Sequence, residues 1–256
     1  MAIAGFAPKK TLITGAASGI GRATALAVAR EGAQLVLTDV DKARLEDAVE
    51  DIRSHGGSVL MAEAFDIASI STWGRIQDLE HHHWRRTVEI DLMGPIHILE
   101  SFVPPMIDAG RGGHIVNVSS AAGLFDLPLH APYSAAKFGL RGVSEVLRFN
   151  LERHNIGVTL VCPGAVDTPL VGTVDIVGVD RDDPKVQRAI ADFQRHSVTP
   201  DQAAQAILKG VKRGKYLVFT SRDIRVGHWA QRYFPFGYRF AMRRLNRRVQ
   251  ELVDRQ

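Results

Sequence analysis

The sequence predicts an α/β fold: a doubly wound parallel sheet with helices over both faces, in a single domain spanning residues 1–256. Three observations carry this. Short apolar runs alternate with amphipathic segments almost from end to end, as strand–helix–strand units require. A glycine-rich turn, Thr14-Gly15-Ala16-Ala17-Ser18-Gly19-Ile20-Gly21, stands between the first apolar run and the first helical one. The chain of 256 residues, 45% of them hydrophobic, is long enough to bury one sizeable core.

Residues 11–13 form the first strand and residues 22–30, rich in alanine, the first helix. Glycines between them let the backbone turn tightly and approach a pyrophosphate, while the helix N-terminus offers free N–H groups and a positive dipole end. Gly15, Ser18, Gly19, Ile20 and Gly21 are therefore candidate cofactor-binding residues. Residues 34–38 form the second strand and end at Asp39, 18 residues beyond Gly21. A carboxylate there can accept hydrogen bonds from both hydroxyls of a ribose. It would repel a 2′-phosphate, so NAD is expected, with NADP as the alternative if Arg22 offsets the repulsion. The other reading of Asp39 is a solvated cap of the next helix.

That helix carries Leu45, Val49 and Ile52 on one face and ends at His55-Gly56-Gly57. Residues 58–65 read as the third strand, ending at Asp66. A helix follows over residues 79–98, with Pro95 as a point of kinking or accommodation. Residues 114–118 are a strand, and residues 131–154 a long helix with Pro132 in its first turn. Residues 158–161 are a strand, 200–211 a helix and 216–219 the last strand.

Tyr133 and Lys137 lie four apart on the long helix, so their side chains share a face. A phenol titrates near pH 10 in water, too high for an efficient proton shuttle at neutral pH. An ammonium group beside it favours the phenolate and makes the tyrosine a usable acid or base. Ser120, at the end of the preceding strand, would offer its hydroxyl to a substrate oxygen. Taken alone, a Tyr and a Lys at this spacing are commonly a surface pair; the glycine turn, Asp39 and Ser120 point instead to a site.

Together these residues resemble the short-chain dehydrogenase/reductase family, in its single-domain form of roughly 250 residues. The matching positions are residues 14–21, Ser120, the run Tyr133-Ser134-Ala135-Ala136-Lys137, and Pro163-Gly164 with Thr168 beyond. The resemblance covers nearly the whole length. It implies a Rossmann-type sheet and hydride transfer between a nicotinamide and an alcohol or ketone carbon. It further implies that the serine orients substrate, that the tyrosine transfers the proton, and that the lysine lowers the tyrosine's pKa while holding the nicotinamide ribose. Pro163, Gly164 and Thr168 would line the nicotinamide site. Asp66 matches a position that meets adenine, and Asn117 one that supports the central strand. Homodimers or homotetramers built on the two long helices are expected.

The chain departs from the family in two places. Asp91, within Glu89-Ile90-Asp91-Leu92-Met93-Gly94, stands where the family has a catalytic asparagine, so a proton relay would persist with an altered pH dependence. Between the third strand and that helix, a helix and a central strand of roughly 20–30 residues have no counterpart. The break falls near residues 68–69. It predicts two exposed ladder edges and a missing wall of the cofactor site. Either the natural molecule carries the segment, or the chain is a damaged variant; the break and Asp91 together make a catalytically silent dinucleotide-binding scaffold the rival reading.

Residues 121–131 and the loop region 165–198 should set specificity. Leu124, Phe125, Leu127, Leu129, Leu170, Val171, Val174, Ile176 and Val177 favour an apolar alcohol or ketone substrate. An NADPH-linked carbonyl reductase of the ketoacyl type is the alternative. The single cysteine, Cys162, excludes an intramolecular disulfide and fits a reducing compartment. With no long apolar run, a cytoplasmic protein is expected. A formal charge of +4 gives no support to nucleic acid as a partner. The tail, residues 222–256, mixes arginines with Trp229, Tyr233, Phe234, Phe236, Tyr238 and Phe240. The reading preferred there is an amphipathic helix over the pocket or against another subunit; membrane-surface contact is the second and nucleic-acid stacking the third. His81-His82-His83 cannot close on one metal ion, because consecutive helical residues diverge, so no metal site is expected.

Overall fold

The computed structural model describes residues 2–64, 70–180 and 183–253. Asp66 and the predicted break near residues 68–69 lie outside the described residues. Strand β1 (Lys10–Thr14) leads through α1 (Gly19–Arg30) to β2 (Gln34–Asp39), and α2 (Lys42–Ser54) leads to β3 (Ser58–Ala64). A two-residue strand, β4 (Thr72–Trp73), precedes α3 (His81–Val88) and α4 (Gly94–Asp108). Then come β5 (Gly113–Val118), α5 (Ala131–Asn150) and β6 (Ile156–Cys162). Beyond β6 lie α6 (Leu170–Thr173), β7 (Asp175–Ile176), α7 (Pro184–Arg195), α8 (Pro200–Lys212), β8 (Leu217–Phe219), α9 (Arg222–Tyr233) and α10 (Pro235–Val253).

Each principal strand is followed by a helix and pairs in parallel, but the ladder is not continuous. β1, β2 and β3 form one three-stranded sheet; β5, β6 and β8 form a second. No strand among the described residues joins β1 to β5, so both present an open edge. This is the consequence expected of the missing helix and strand. On β5, Val116 is 37% and Val118 40% exposed. The two sheets are held together through helices instead: Ala204, Ile207, Leu208 and Val211 of α8 share one core with Ala23, Ala27 and Val28 of α1. Lys212 Nζ adds an ion pair to Glu31 Oε1 at 2.6 Å.

The helix predicted over residues 79–98 is interrupted. Between α3 and α4 the residues Glu89–Met93 widen into a π turn. Pro95 follows after Gly94 and has no N–H to give to an α-helical partner, so the widened turn absorbs it without a break. Asp91 sits inside this turn and is buried. The tail is two helices, α9 and α10. The parallel pair β4–β7, Thr72 with Asp175 and Trp73 with Ile176, was not foreseen from the sequence.

Candidate active site

One cavity of about 2220 Å³ runs between the two half-sheets. Gly15, Ser18, Gly19, Ile20, Gly21, Asp39, Asp91, Ser120, Tyr133, Lys137, Pro163, Gly164 and Thr168 all line it. The structure thus brings together, from both half-sheets, every described candidate catalytic and cofactor-binding residue.

The glycine turn is built to be narrow. A Cβ on Gly21 would stand 2.0 Å from the Gly15 carbonyl oxygen, so only glycine allows α1 to start so close to β1. Gly19 has φ +52°, and a Cβ there would meet the Thr168 methyl at 3.0 Å. The turn after β1 and the loop after β6 therefore touch across the cavity. Asp39, only 8% exposed, organises the same corner: Oδ2 accepts from Ala17 N at 2.9 Å and Oδ1 from Asp41 N at 3.1 Å. The helix cap considered for Asp39 is made by Asp41, whose Oδ1 accepts from Arg44 N at 3.1 Å. Arg22 is paired with Asp51 at 3.0 Å. Arg44, whose Nε pairs with Asp41 Oδ2 at 3.3 Å, lines the cavity, and Arg22 does not.

On the opposite wall, Ser120 caps the short 3₁₀ turn Ala121–Gly123, its Oγ accepting from Ala122 N at 3.2 Å. Ser119 Oγ donates to the Lys137 carbonyl at 3.0 Å, and Asn117 Nδ2 donates to Ser144 Oγ at 2.9 Å. Both bonds fasten the end of β5 to α5. Tyr133 and Lys137 share a face of α5, with Lys137 Nζ 5.3 Å from the Tyr133 ring centre. Lys137 Nζ also donates to Asp91 Oδ1 at 2.9 Å, with side chains 6% and 1% exposed. Burial alone would pull the Lys137 pKa down. The negative charges of the Tyr133 phenolate and the Asp91 carboxylate outweigh it and raise the pKa above the ordinary lysine value. The ammonium form is held in place.

Two further residues complete this wall. His130 stacks on Trp73 with ring centres 4.1 Å apart and lies 6.3 Å from the Tyr133 ring. Burial lowers its pKa to about 4 against the opposing bond to the Pro128 carbonyl, so it is a neutral ring. Gly74 N donates to the Leu129 carbonyl at 2.9 Å, which docks the Trp73 segment against the 127–130 loop. The position of His130 three residues before Tyr133 was the available sequence signal; Trp73 had none, because its strand partner β7 is distant in the chain.

The apolar lining is narrower than expected. Phe125, Leu127, Leu129, Leu170, Val174 and Ile176 border the cavity. Leu124 does not; it is fully buried with Leu160, Cys162 and Ile224. Val177 packs near Gly74. The His81-His82-His83 run serves α3: His83 Nδ1 accepts from Glu80 N at 2.9 Å, and His82 faces Glu80 at 3.3 Å.

The family model described as short chain dehydrogenase matches two stretches, residues 9–76 and 65–176. The stretches overlap where the sequence shows its break. The probable oxidoreductase EphD of Mycobacterium tuberculosis is 34% identical over 79% of this chain but only 39% of its own length. The chain thus spans about two fifths of that longer protein. The putative oxidoreductase SadH of the same organism is 31% identical, covering 85% of this chain and 88% of its own. A crystal structure of a short chain dehydrogenase/reductase from Burkholderia phymatum in complex with NAD superposes with a TM-score of 0.79 at 23% identity, covering 90% of this chain and 96% of that one. The chain belongs to the short-chain dehydrogenase family, a family of oxidoreductases.

Proposed function

We propose that the chain is an NAD(H)-dependent oxidoreductase that interconverts an apolar secondary alcohol and its ketone. The observation that carries this is the convergence, in one cavity, of a glycine turn with no room for a Cβ at Gly21 and a phenol–ammonium pair on α5.

The cavity fits a dinucleotide. The α1 N-terminus and the residues 15–21 turn would receive the pyrophosphate, Asp39 the adenosine ribose, and Lys137 the second ribose. Thr168 and Pro163 would border the nicotinamide, which supplies or accepts the hydride when bound. Ser120 would hold the substrate oxygen with its hydroxyl. Tyr133 then gives that oxygen a proton during reduction, or takes it during oxidation, and the Lys137 ammonium stabilises the phenolate left behind. Trp73 and His130 form a flat, uncharged wall beside the reacting carbon, which favours an apolar substrate over a charged one. Asp39 supports NAD; Arg44 at the same corner keeps NADP, and with it a ketoacyl-type reductase, as the alternative. Exposed Phe102 on α4 and exposed Val146 and Phe149 on α5 support a homodimer or homotetramer built on these helices.

A second reading, a catalytically silent dinucleotide-binding scaffold, is favoured by the divided sheet and by the Asp91 carboxylate on Lys137. Titration of NADH and NADPH, followed by turnover on a panel of apolar alcohols and ketones, separates the readings. The expected result is NADH binding, turnover, and a loss of about 10²- to 10⁴-fold in kcat for Tyr133→Phe with nucleotide affinity unchanged. Binding without turnover, indifferent to Tyr133→Phe, establishes the scaffold. A preference for NADPH of tenfold or more, about 1.4 kcal/mol, overturns the role given to Asp39.

A further inference from the structure

We infer that the outer face of α9 and α10 is a docking surface for an anionic lipid bilayer. Residues 222–256 hold nine arginines against three acidic residues, a net +6 in a chain whose total is +4. The first 221 residues are therefore net −2, and the basic character of the protein is confined to its tail. On α9 the exposed side chains Val226 (62%), Trp229 (59%) and Tyr233 (64%) are three and four residues apart and form one stripe. On α10, Phe236 (80%) and Phe240 (66%), four residues apart, are exposed in the same way. Arg239, Arg243 and Arg247 recur every four residues along the same side of α10, all exposed.

The opposite side of α10 faces the protein. Tyr238 Oη accepts from Asp126 N at 3.1 Å and donates to Asp126 Oδ2 at 3.3 Å, with its ring 6.3 Å from Phe125. Leu245 and Val249, at helical spacing from Tyr238, line the cavity. α10 is thus anchored by one face and α9 by its buried Ile224, and what remains outward is aromatic and cationic together. That combination matches the headgroup region of a bilayer, where Trp, Tyr and Phe rings enter the interface and arginines meet lipid phosphates. A second copy of this surface is a poor occupant, because a two-fold contact would set +6 against +6. No helix of the described residues is long and apolar enough to cross a membrane, so the contact is one of surface seating. The inference goes beyond the redox reading and does not depend on it.

The full chain is sedimented with vesicles of phosphatidylcholine alone and with vesicles carrying about 30% phosphatidylglycerol, at roughly 0.1 M and 1 M salt. The expected result is binding at least about tenfold stronger to the anionic vesicles, lost at high salt. The doubly substituted Phe236→Ser, Phe240→Ser chain is expected to bind about tenfold more weakly. An unchanged thermal transition and an unchanged circular-dichroism spectrum show that this variant remains folded. A separate Arg243→Gln, Arg247→Gln chain should lose the preference for anionic lipid. The proposal is overturned by equal binding to both vesicles, by no binding, or by variants that bind as the parent does. Retention on single-stranded RNA without vesicle binding, or a concentration-dependent dimer that these substitutions dissociate while vesicle binding stays unchanged, also overturns it.

Discussion

The two half-sheets have the same number of strands and the same parallel ladder, yet they carry their open edges differently. In the amino-terminal half, Leu35 and Leu37 of β2 and Ile13 of β1 are buried under α1 and α2, whose Ala25, Val28 and Ile52 are almost fully enclosed. In the carboxy-terminal half, β6 is buried at all seven positions, but β5 buries only Asn117, and α4 buries none of its residues. The two open-edge strands each bury one residue, Ile13 on β1 and Asn117 on β5, so the difference lies in the helices over them. β1 is backed by helices that also bind α8, whereas β5 and α4 look onto the open cavity. Tyr133 and Lys137 are themselves buried on α5, but with Ser120 they share their half with the thinly packed β5 and α4.

The sharpest way to break this contrast is by truncating one side chain in each half. Leu35→Ala should cost about 2–5 kcal/mol in urea unfolding, the usual range for a buried leucine. Val118→Ser, on the open edge of β5, should cost less than about 1 kcal/mol, because it removes little buried surface. Equal losses would mean that the β5 edge is covered in solution, and the asymmetry would disappear.

Acid should expose the same asymmetry. His114 and His130 both belong to the carboxy-terminal half, and burial lowers each to about 4. Between pH 6.5 and pH 4 the unfolded chain binds protons at these positions and the folded chain does not. Stability is therefore complete above about pH 6.5 and falls as the pH drops toward 4. For deeply buried His130 the loss approaches roughly 3 kcal/mol; half-exposed His114 contributes less. His130→Phe keeps a ring on Trp73 and removes the titration. Urea unfolding at several pH values should then show a shallower slope across this window. An unchanged slope would move the acid sensitivity out of this wall.

How much of this was legible in the sequence follows from the range of the interactions involved. The glycine turn, the four-residue spacing of Tyr133 and Lys137, and the acidic end of β2 are local patterns, and the structure gathers them around one cavity. The break near residues 68–69 was legible as a shortage of residues, and its outcome is the divided ladder. What escaped is non-local. The β4–β7 pair joins segments about a hundred residues apart and places Trp73 against His130. Leu124 looks like a pocket residue in the sequence because apolar lining and apolar core have the same composition. The bond from Lys137 to Asp91 depends on a π turn that no hydrophobic period announces.

That bond supplies the finest distinction between the halves. Asp91 places a carboxylate 2.9 Å from the Lys137 ammonium, in a setting where both side chains are nearly inaccessible. Part of the positive charge that would favour the Tyr133 phenolate is thereby balanced by a negative one. Asp91→Asn keeps a hydrogen-bond acceptor but removes the charge, leaving the ammonium to act on Tyr133 without a counter-charge. The acid limb of alcohol oxidation should shift to lower pH by about one unit, equivalent to roughly 1.4 kcal/mol. NADH affinity measured well away from that limb should change little, because residue 91 still offers Lys137 an acceptor and the turn after β1 and Asp39 lie in the other half. If the limb does not move, Lys137 and Asp91 act only as a structural pair. If nucleotide affinity changes with it, the Asp91 carboxylate also sets how Lys137 holds the second ribose.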